Sequence, residues 1–512
     1  MERPLTCSSG GVGGDKVTPA TRKVGSYERK NAAPMANGGE PLKRELNPTG
    51  AISIVVGTVI GTGIFLKSAV MSQLLGSSGW VLTAWAAAGL LSIAGALTYA
   101  ELGAMLPHAG GPYVYLREAY GKLPAFLFGW KELLSTKGAS NAAVAIGIVI
   151  FLNALIPVKV VWFEHPVHLF GETIAWQFGS QQLEAIAVIV ILSYINTIGV
   201  AAGGLTQTIL TGAKLVGIAF LVIGAFTVAK GGSLSNVFAP TTSGHAPSVA
   251  AFGAAMIAAL WAYSGWGDLG IAAGEVRRPG RNLPLGLIGG ILIIMVTYLV
   301  TNAAYAYVLP FSQIATANST QFPNAAPVAE RVAAAFLGPL GAAFLSLLFV
   351  VSALGTLNGG ILTGSRIPFA MARDDQFPEA LAKVDLKTRT PVTSIVLLAI
   401  WACLLTVSGT FDQLTTLVIF VDLTLDVFGS ASIFILRRKM PAAERPYRTP
   451  LYPLVPLAYL ATIIWLVVNT VRTSPLEALG GLVILLIGLP VYWYYRSRNR
   501  TAQGALPSPA NS

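Results

Sequence analysis

The chain has 512 residues, 54% of them hydrophobic and only 11% charged, and its mean hydropathy is +0.65. Soluble domains carry about 25% charged residues, so a soluble multi-domain enzyme is excluded. The formal net charge of +11 would suit nucleic acid, but its placement along the chain follows a bilayer instead.

Residues 1–47 are polar, rich in Gly, Ser and Pro with mixed charge, and are expected to form a disordered tail without a signal peptide. Apolar stretches follow at 49–75, 79–106, 124–152, 182–201, 205–229, 249–275, 284–308, 332–365, 392–408, 411–436, 451–473 and 476–495. Each can cross a hydrocarbon layer of ~30 Å as a helix. The fold class expected is therefore an all-α membrane protein with 12 transmembrane helices. The 12 stretches alternate sides, and 26 of the 34 Lys and Arg residues then fall on the side of the two tails, against four on the other. The positive-inside rule places both termini in the cytoplasm. Residues 496–512 read as a second disordered tail. Cys7 lies in the first tail and Cys403 in a predicted span, so no disulfide framework is expected.

Glycines interrupt two of these stretches. The first contains Gly57, Gly61 and Gly63 in GTVIGTGIF, and the sixth contains Ser264, Gly265 and Gly267 in WAYSGWGDLG. Each would open a five-helix unit, and glycine-broken spans in corresponding positions of two halves point to a transport site between repeats. The transporter domain is thus expected over 48–495, with repeat one at about 48–230, repeat two at about 248–437 and two added helices in 451–495.

Gly61-Thr62-Gly63 lacks the third glycine of a dinucleotide fingerprint, since Leu66 stands there, and lacks the ending of a phosphate loop. Two readings stay open. Gly57 and Gly61 can form a small-residue packing face, or the helix unwinds and frees the amides of Gly61, Thr62 and Gly63 as donors for a carboxylate. In the sixth span, a helix ending near Tyr263 would leave the carbonyls of Trp261, Ala262 and Ser264 at a negative helix end, which favours an ammonium. Opposed amides and carbonyls match a zwitterion such as a free amino acid. Trp261 is either a gate over that molecule or ordinary core packing.

Lys214 lies at least nine residues from either end of the fifth span, and nine residues is ~14 Å of helix. An ammonium at that depth is costly unless partnered and marks a functional site; the alternative is snorkelling to an interface. A fixed cation beside the first break would stand in for a bound sodium ion. Asp422 and Asp426 share one face of the tenth span and either relay protons, line a wet vestibule, or pair with each other and a nearby donor. Asp268, just past the sixth-span break, is open to the same readings, with a further one in which it orders the unwound segment by accepting its freed amides. His108, His165, His168 and His245 fall in predicted loops without a completing ligand set, so neither metal nor cofactor is expected, and no nucleophile elbow occurs.

Several motifs in one order, YAELGAMLPHAGGPYVYLREAYG (99–121), GTGIF (61–65), AGEVRRPGRNLPLG (273–286) and LNGGILTGSRIPFAMARDDQFP (357–378), resemble the amino acid-polyamine-organocation superfamily. Lys214 and ERPYRTPLYP (444–453) make the chain similar to its L-type amino acid transporter branch. The resemblance implies a LeuT-type 5+5 inverted repeat with helices 1 and 6 unwound at mid-membrane, and sodium-independent alternating access. It implies that the substrate carboxylate meets the backbone of Gly61, Thr62 and Gly63, and the amine meets carbonyls of Val59, Trp261 and Ser264. Trp261 would be the aromatic gate, and Lys214 would occupy the place of a sodium ion.

Residues 153–181 lack the cysteine with which animal members of that branch bind a glycoprotein heavy chain, so no disulfide-linked heavy chain is expected. Ser264, where members taking cationic substrates carry an acid, favours neutral ones. The expected function is an exchanger of small neutral L-amino acids such as alanine, serine or threonine in a plasma (inner) membrane. Its partners are the amino acid and the lipid, not nucleic acid. The rivals are a proton-coupled permease using Asp422 or Asp426, and an amino acid sensor without flux. A channel would need more polar faces than the spans offer, and a membrane enzyme would need a catalytic set.

Overall fold

The computed structural model describes residues 42–156, 160–169, 172–229, 231–238, 245–319, 321–322, 325–408, 411–473 and 475–504. Most of the predicted first tail, with Cys7, lies outside them. The tail's end is ordered: the amides of Glu45 and Leu46 both donate to the Glu275 carbonyl at 2.9 Å, and Leu46 bridges Val276.

Helix α1 spans Pro48–Val59. Asn47 caps it by accepting the Gly50 amide at 2.7 Å, and Pro48 occupies the first turn, where a missing N–H costs nothing. Helix α2 (Gly63–Leu75) continues after a break and ends on Gly76 at φ 70°. Then come α3 (Ser78–Met105), α4 (Pro112–Tyr120) and α5 (Lys122–Lys131), which runs through a π-helical stretch, Glu132–Ala139, into α6 (Ser140–Leu155). Strands β1 (Val161–Leu169) and β2 (Glu172–Gly179) pair antiparallel, with His165 opposite Trp176 and an irregularity between Val161 and Phe163. Next are α7 (Ser180–Ile198), α8 (Val200–Thr227), the short α9 (Leu234–Val237), α10 (Val249–Tyr263), α11 (Asp268–Ile271) and α12 (Pro279–Val308). The chain ends with α13 (Phe311–Ala315), α14 (Val328–Leu337), α15 (Leu340–Gly364), α16 (Arg366–Arg373), α17 (Val392–Ser408), α18 (Phe411–Lys439), α19 (Leu454–Thr473) and α20 (Pro475–Gly504).

Helix occupies each of the predicted apolar stretches. Among the described residues, seven helices are long and apolar enough to cross a membrane, eight if α1 and α2, bent by 45°, form one span; α10 and α17 are shorter apolar helices. Aliphatic side chains such as Leu90, Val216, Ile223 and Ile400 are exposed on the outside of the bundle, as a lipid-facing surface requires. Helices approach through small residues. A methyl group on Gly290 would lie 2.5 Å from Val55, and one on Gly286 would lie 3.0 Å from Ala51, so α12 packs directly on α1.

The structure corrects the sequence reading in three further places. The chain is not wholly helical: VWFEHPVHL and ETIAWQFG, rich in β-branched and aromatic residues, form a hairpin where a loop is expected. The predicted span at 332–365 divides at Gly338, whose φ of 59° ends α14 before α15 begins. Helix α20 runs to Gly504, so residues 496–504 of the predicted second tail are helical.

Candidate functional site

The first break falls between Val59 and Gly63. The Ile60 amide still closes onto Val56 at 3.0 Å, but among the described residues the amides of Gly61, Thr62 and Gly63 donate to no acceptor. They stand at the positive start of α2. The carbonyls freed at the end of α1 are occupied. Lys214 Nζ, fully buried on α8, donates to Gly57 O at 2.9 Å and Ile60 O at 2.6 Å, and Ser352 Oγ donates to Ile60 O at 2.9 Å. This is a cation on a negative helix end, and snorkelling is excluded. Gly57 serves packing: a methyl group there would sit 1.9 Å from Gln207 Nε2 on α8. Small-residue packing therefore falls at Gly57, while the helix itself unwinds at Ile60–Thr62.

The second break begins at Ser264, which is extended, and turns at Gly265, whose φ of 110° excludes a side chain without strain. Two hydroxyls tie the breaks together. Thr58 Oγ1 lies 2.7 Å from Ile54 O and 3.2 Å from Gly265 O, and Tyr298 OH lies 3.1 Å from Val59 O and 2.8 Å from Ala262 O. The C-terminal carbonyls of α1 and α10 thus converge within hydrogen-bonding reach of one point. The Trp261 carbonyl accepts the Ser264 amide at 3.2 Å, so it keeps a partner that the sequence reading removes.

Gly63 makes the closest approach between the breaks, since a methyl group there would lie 2.5 Å from Ala262 Cβ and 2.8 Å from its Cα; around Gly267 the space is open. Overpacking of this kind costs about 1–3 kcal/mol. Gly63→Ala is expected to lower the thermal unfolding midpoint of the purified protein, whereas Gly267→Ala leaves it unchanged. Equal midpoints for the two would refute the contact.

A cavity of about 270 Å³ opens between the breaks. Val59, Gly61, Thr62, Gly63, Trp261, Ala262 and Ser264 line it, and so do Asp422 and Asp426. Lys214 sits behind it, against the backbone of the break. Trp261 is half-buried, and the Lys67 ammonium lies 5.8 Å from its ring centroid.

The two aspartates of α18 do not pair with each other. Asp422 is bonded by Lys131 and, at 2.9 Å, by Thr136, while Lys131 also reaches Glu132 at 2.7 Å. Asp426 takes the hydroxyls of Tyr99 and Tyr459, the latter at 2.5 Å. Asp268 does not take the reading in which it orders the unwound segment. Its carboxylate pairs with Lys137 Nζ at 2.5 Å and accepts Thr363 Oγ1 at 3.1 Å rather than serving the freed amides. A cation on α15's neighbour wins over weaker backbone donors. Outside the spans, burial beside Arg44 and Arg373 pushes His108 down to about 4, so it stays neutral between pH 5 and 8.

Sequence reasoning passed over Thr58, Tyr298, Lys131 and Lys137. The two lysines carry a usable signal, a charge inside an apolar run; the hydroxyls carry none, because such residues are common in membrane helices.

The family model described as amino acid permease matches residues 46–489. The chain is 33% identical over 459 residues to the serine/threonine exchanger SteT of Bacillus subtilis (strain 168), covering 89% of this chain and 98% of that protein. It is 30% identical over 457 residues to the human b(0,+)-type amino acid transporter 1, covering 89% and 88%. It is 28% identical over 455 residues to the human cystine/glutamate transporter, covering 89% and 85%.

Proposed function

The chain belongs to the amino acid permease family, and from that premise we propose that it is a sodium-independent exchanger of small neutral L-amino acids. These relatives are transporters rather than enzymes, and the chain is a multi-pass membrane protein. In the proposed architecture, twelve helices form a LeuT-type 5+5 inverted repeat over 48–437, with α1–α2 and α10–α11 as the unwound first and sixth helices and α19 and α20 added. Both tails lie in the cytoplasm, and the subunit works without a disulfide-linked heavy chain.

The observation that carries the reading is the cavity in which unbonded amides at Gly61, Thr62 and Gly63 meet the carbonyl ends of α1 and α10. The amides receive the carboxylate, while Val59, Trp261, Ala262 and Ser264 receive the ammonium. Trp261 closes over the ligand. Lys214 supplies the fixed charge that makes sodium unnecessary. A volume of about 270 Å³ lies just below the range usual for ligand sites, about 300–1,000 Å³, which supports small substrates, as does the exchanger named for serine and threonine.

Purified protein in liposomes tests this. Labelled L-serine is expected to enter only vesicles preloaded with unlabelled serine, at the same rate when choline replaces sodium; dependence on sodium would overturn the reading. A second reading, proton-coupled uptake, has its own support, because Asp422 and Asp426 line the same cavity. It predicts accumulation in empty vesicles under an inward proton gradient, whereas a sensor would bind serine without moving it.

A further inference from the structure

We infer that the buried ion pair of Lys137 and Asp268 sets the charge selectivity of the cavity toward the substrate side chain. The inference rests on the proposed transport function and goes beyond it to a pair of specificity-determining residues.

Both side chains line the cavity between the helix breaks, and each is only 8% exposed. They come from different parts of the fold: Lys137 from the π-helical stretch between α5 and α6, and Asp268 from the start of α11, four residues beyond Ser264. Three features hold them. The ammonium and carboxylate meet at 2.5 Å, Thr363 on α15 binds the other carboxylate oxygen at 3.1 Å, and the Lys137 stem lies against Gly364, where a methyl group would meet Lys137 Cγ at 2.9 Å. The π-helix itself is fixed by Trp401, whose indole donates to Leu134 O at 3.1 Å and covers Gly138. Such widened turns recur at functional sites because they re-aim a side chain and loosen the backbone bonds.

The consequence is electrostatic. If the helix ends fix the α-carboxylate and α-ammonium, the side chain must project toward the remaining wall, which includes this pair. Within this pair the two charges cancel, so an acidic or a basic side chain that reaches it finds no uncompensated partner there and loses its hydration for nothing. Removing one member leaves a buried charge that only a substrate of opposite sign can satisfy. Selectivity for neutral side chains is then a rejection built from a matched pair.

The test is competition against labelled L-serine exchange in proteoliposomes by L-glutamate, L-arginine and L-alanine. For the wild type, alanine competes and the charged amino acids do not. Asp268→Asn is expected to improve inhibition by glutamate at least tenfold, and Lys137→Met to improve inhibition by arginine at least tenfold. The double variant D268N/K137M returns to alanine alone. Where a single variant exchanges too slowly, thermal stabilisation of the purified protein by glutamate or arginine reads the same preference.

Single variants that keep the wild-type ranking overturn the inference. So does a single variant that cannot be purified folded while the double variant exchanges normally, because the pair would then be structural only. A wild type that moves no amino acid sinks the proposed function instead, so the two failures are distinguishable.

Discussion

Lys214→Ala is expected to reduce serine exchange about 100-fold or more while the protein inserts and purifies normally. The ammonium is fully buried and donates to the carbonyls of Gly57 and Ile60 at 2.9 and 2.6 Å. Hydrogen bonds involving a charged group contribute about 1.5–3 kcal/mol each, and every ~1.4 kcal/mol is tenfold, so losing both predicts at least that drop. Insertion should not suffer, because deleting a charge from an apolar span lowers the cost of burying it. Lys214→Met separates charge from packing. It restores most of the stem, and if it exchanges serine at the wild-type rate, the cation has no role at the first break. Initial rates normalised to reconstituted protein decide the matter.

Arg366→Met is expected to destabilise the protein by about 3–5 kcal/mol, the usual cost of orphaning one partner of a buried ion pair. Arg366 and Glu275 are both fully buried, and the guanidinium donates to Glu275 Oε1 from Nε at 2.9 Å and from Nη2 at 2.7 Å. The Glu275 carbonyl also anchors the amides of Glu45 and Leu46, so the damage should spread to the chain just before α1. Replacing both partners, R366M with E275L, should recover much of the loss, since two well-packed apolar side chains leave no charge behind. Thermal unfolding and yield of monodisperse protein measure both. An unaltered midpoint for Arg366→Met would show that the pair adds little.

Much of the site was legible as local departures from a simple pattern. Glycine runs inside apolar spans marked both breaks, and a lysine at least nine residues from either end of its span marked a partnered cation. Those signals are local, because hydropathy and backbone freedom depend on neighbours in sequence. The partners of the buried acids were not legible on that basis. Asp268 meets a lysine 131 positions away, and Asp422 one 291 positions away, and no spacing along the chain encodes such a meeting. The same limit explains the hairpin at 161–179: its strand-forming residues were visible, yet pairing requires two segments to find one register.

By itself, then, the sequence determined that the chain belongs in a bilayer, where its helices run and where two of them cannot stay wound, since each follows from composition within one stretch. Tertiary structure alone decided that the Lys214 ammonium reaches the carbonyls of the first break, that Tyr298 joins both helix ends, and that Lys137 neutralises Asp268. In a low-dielectric interior every charge must find a partner, and which partner is within reach depends on how the helices pack.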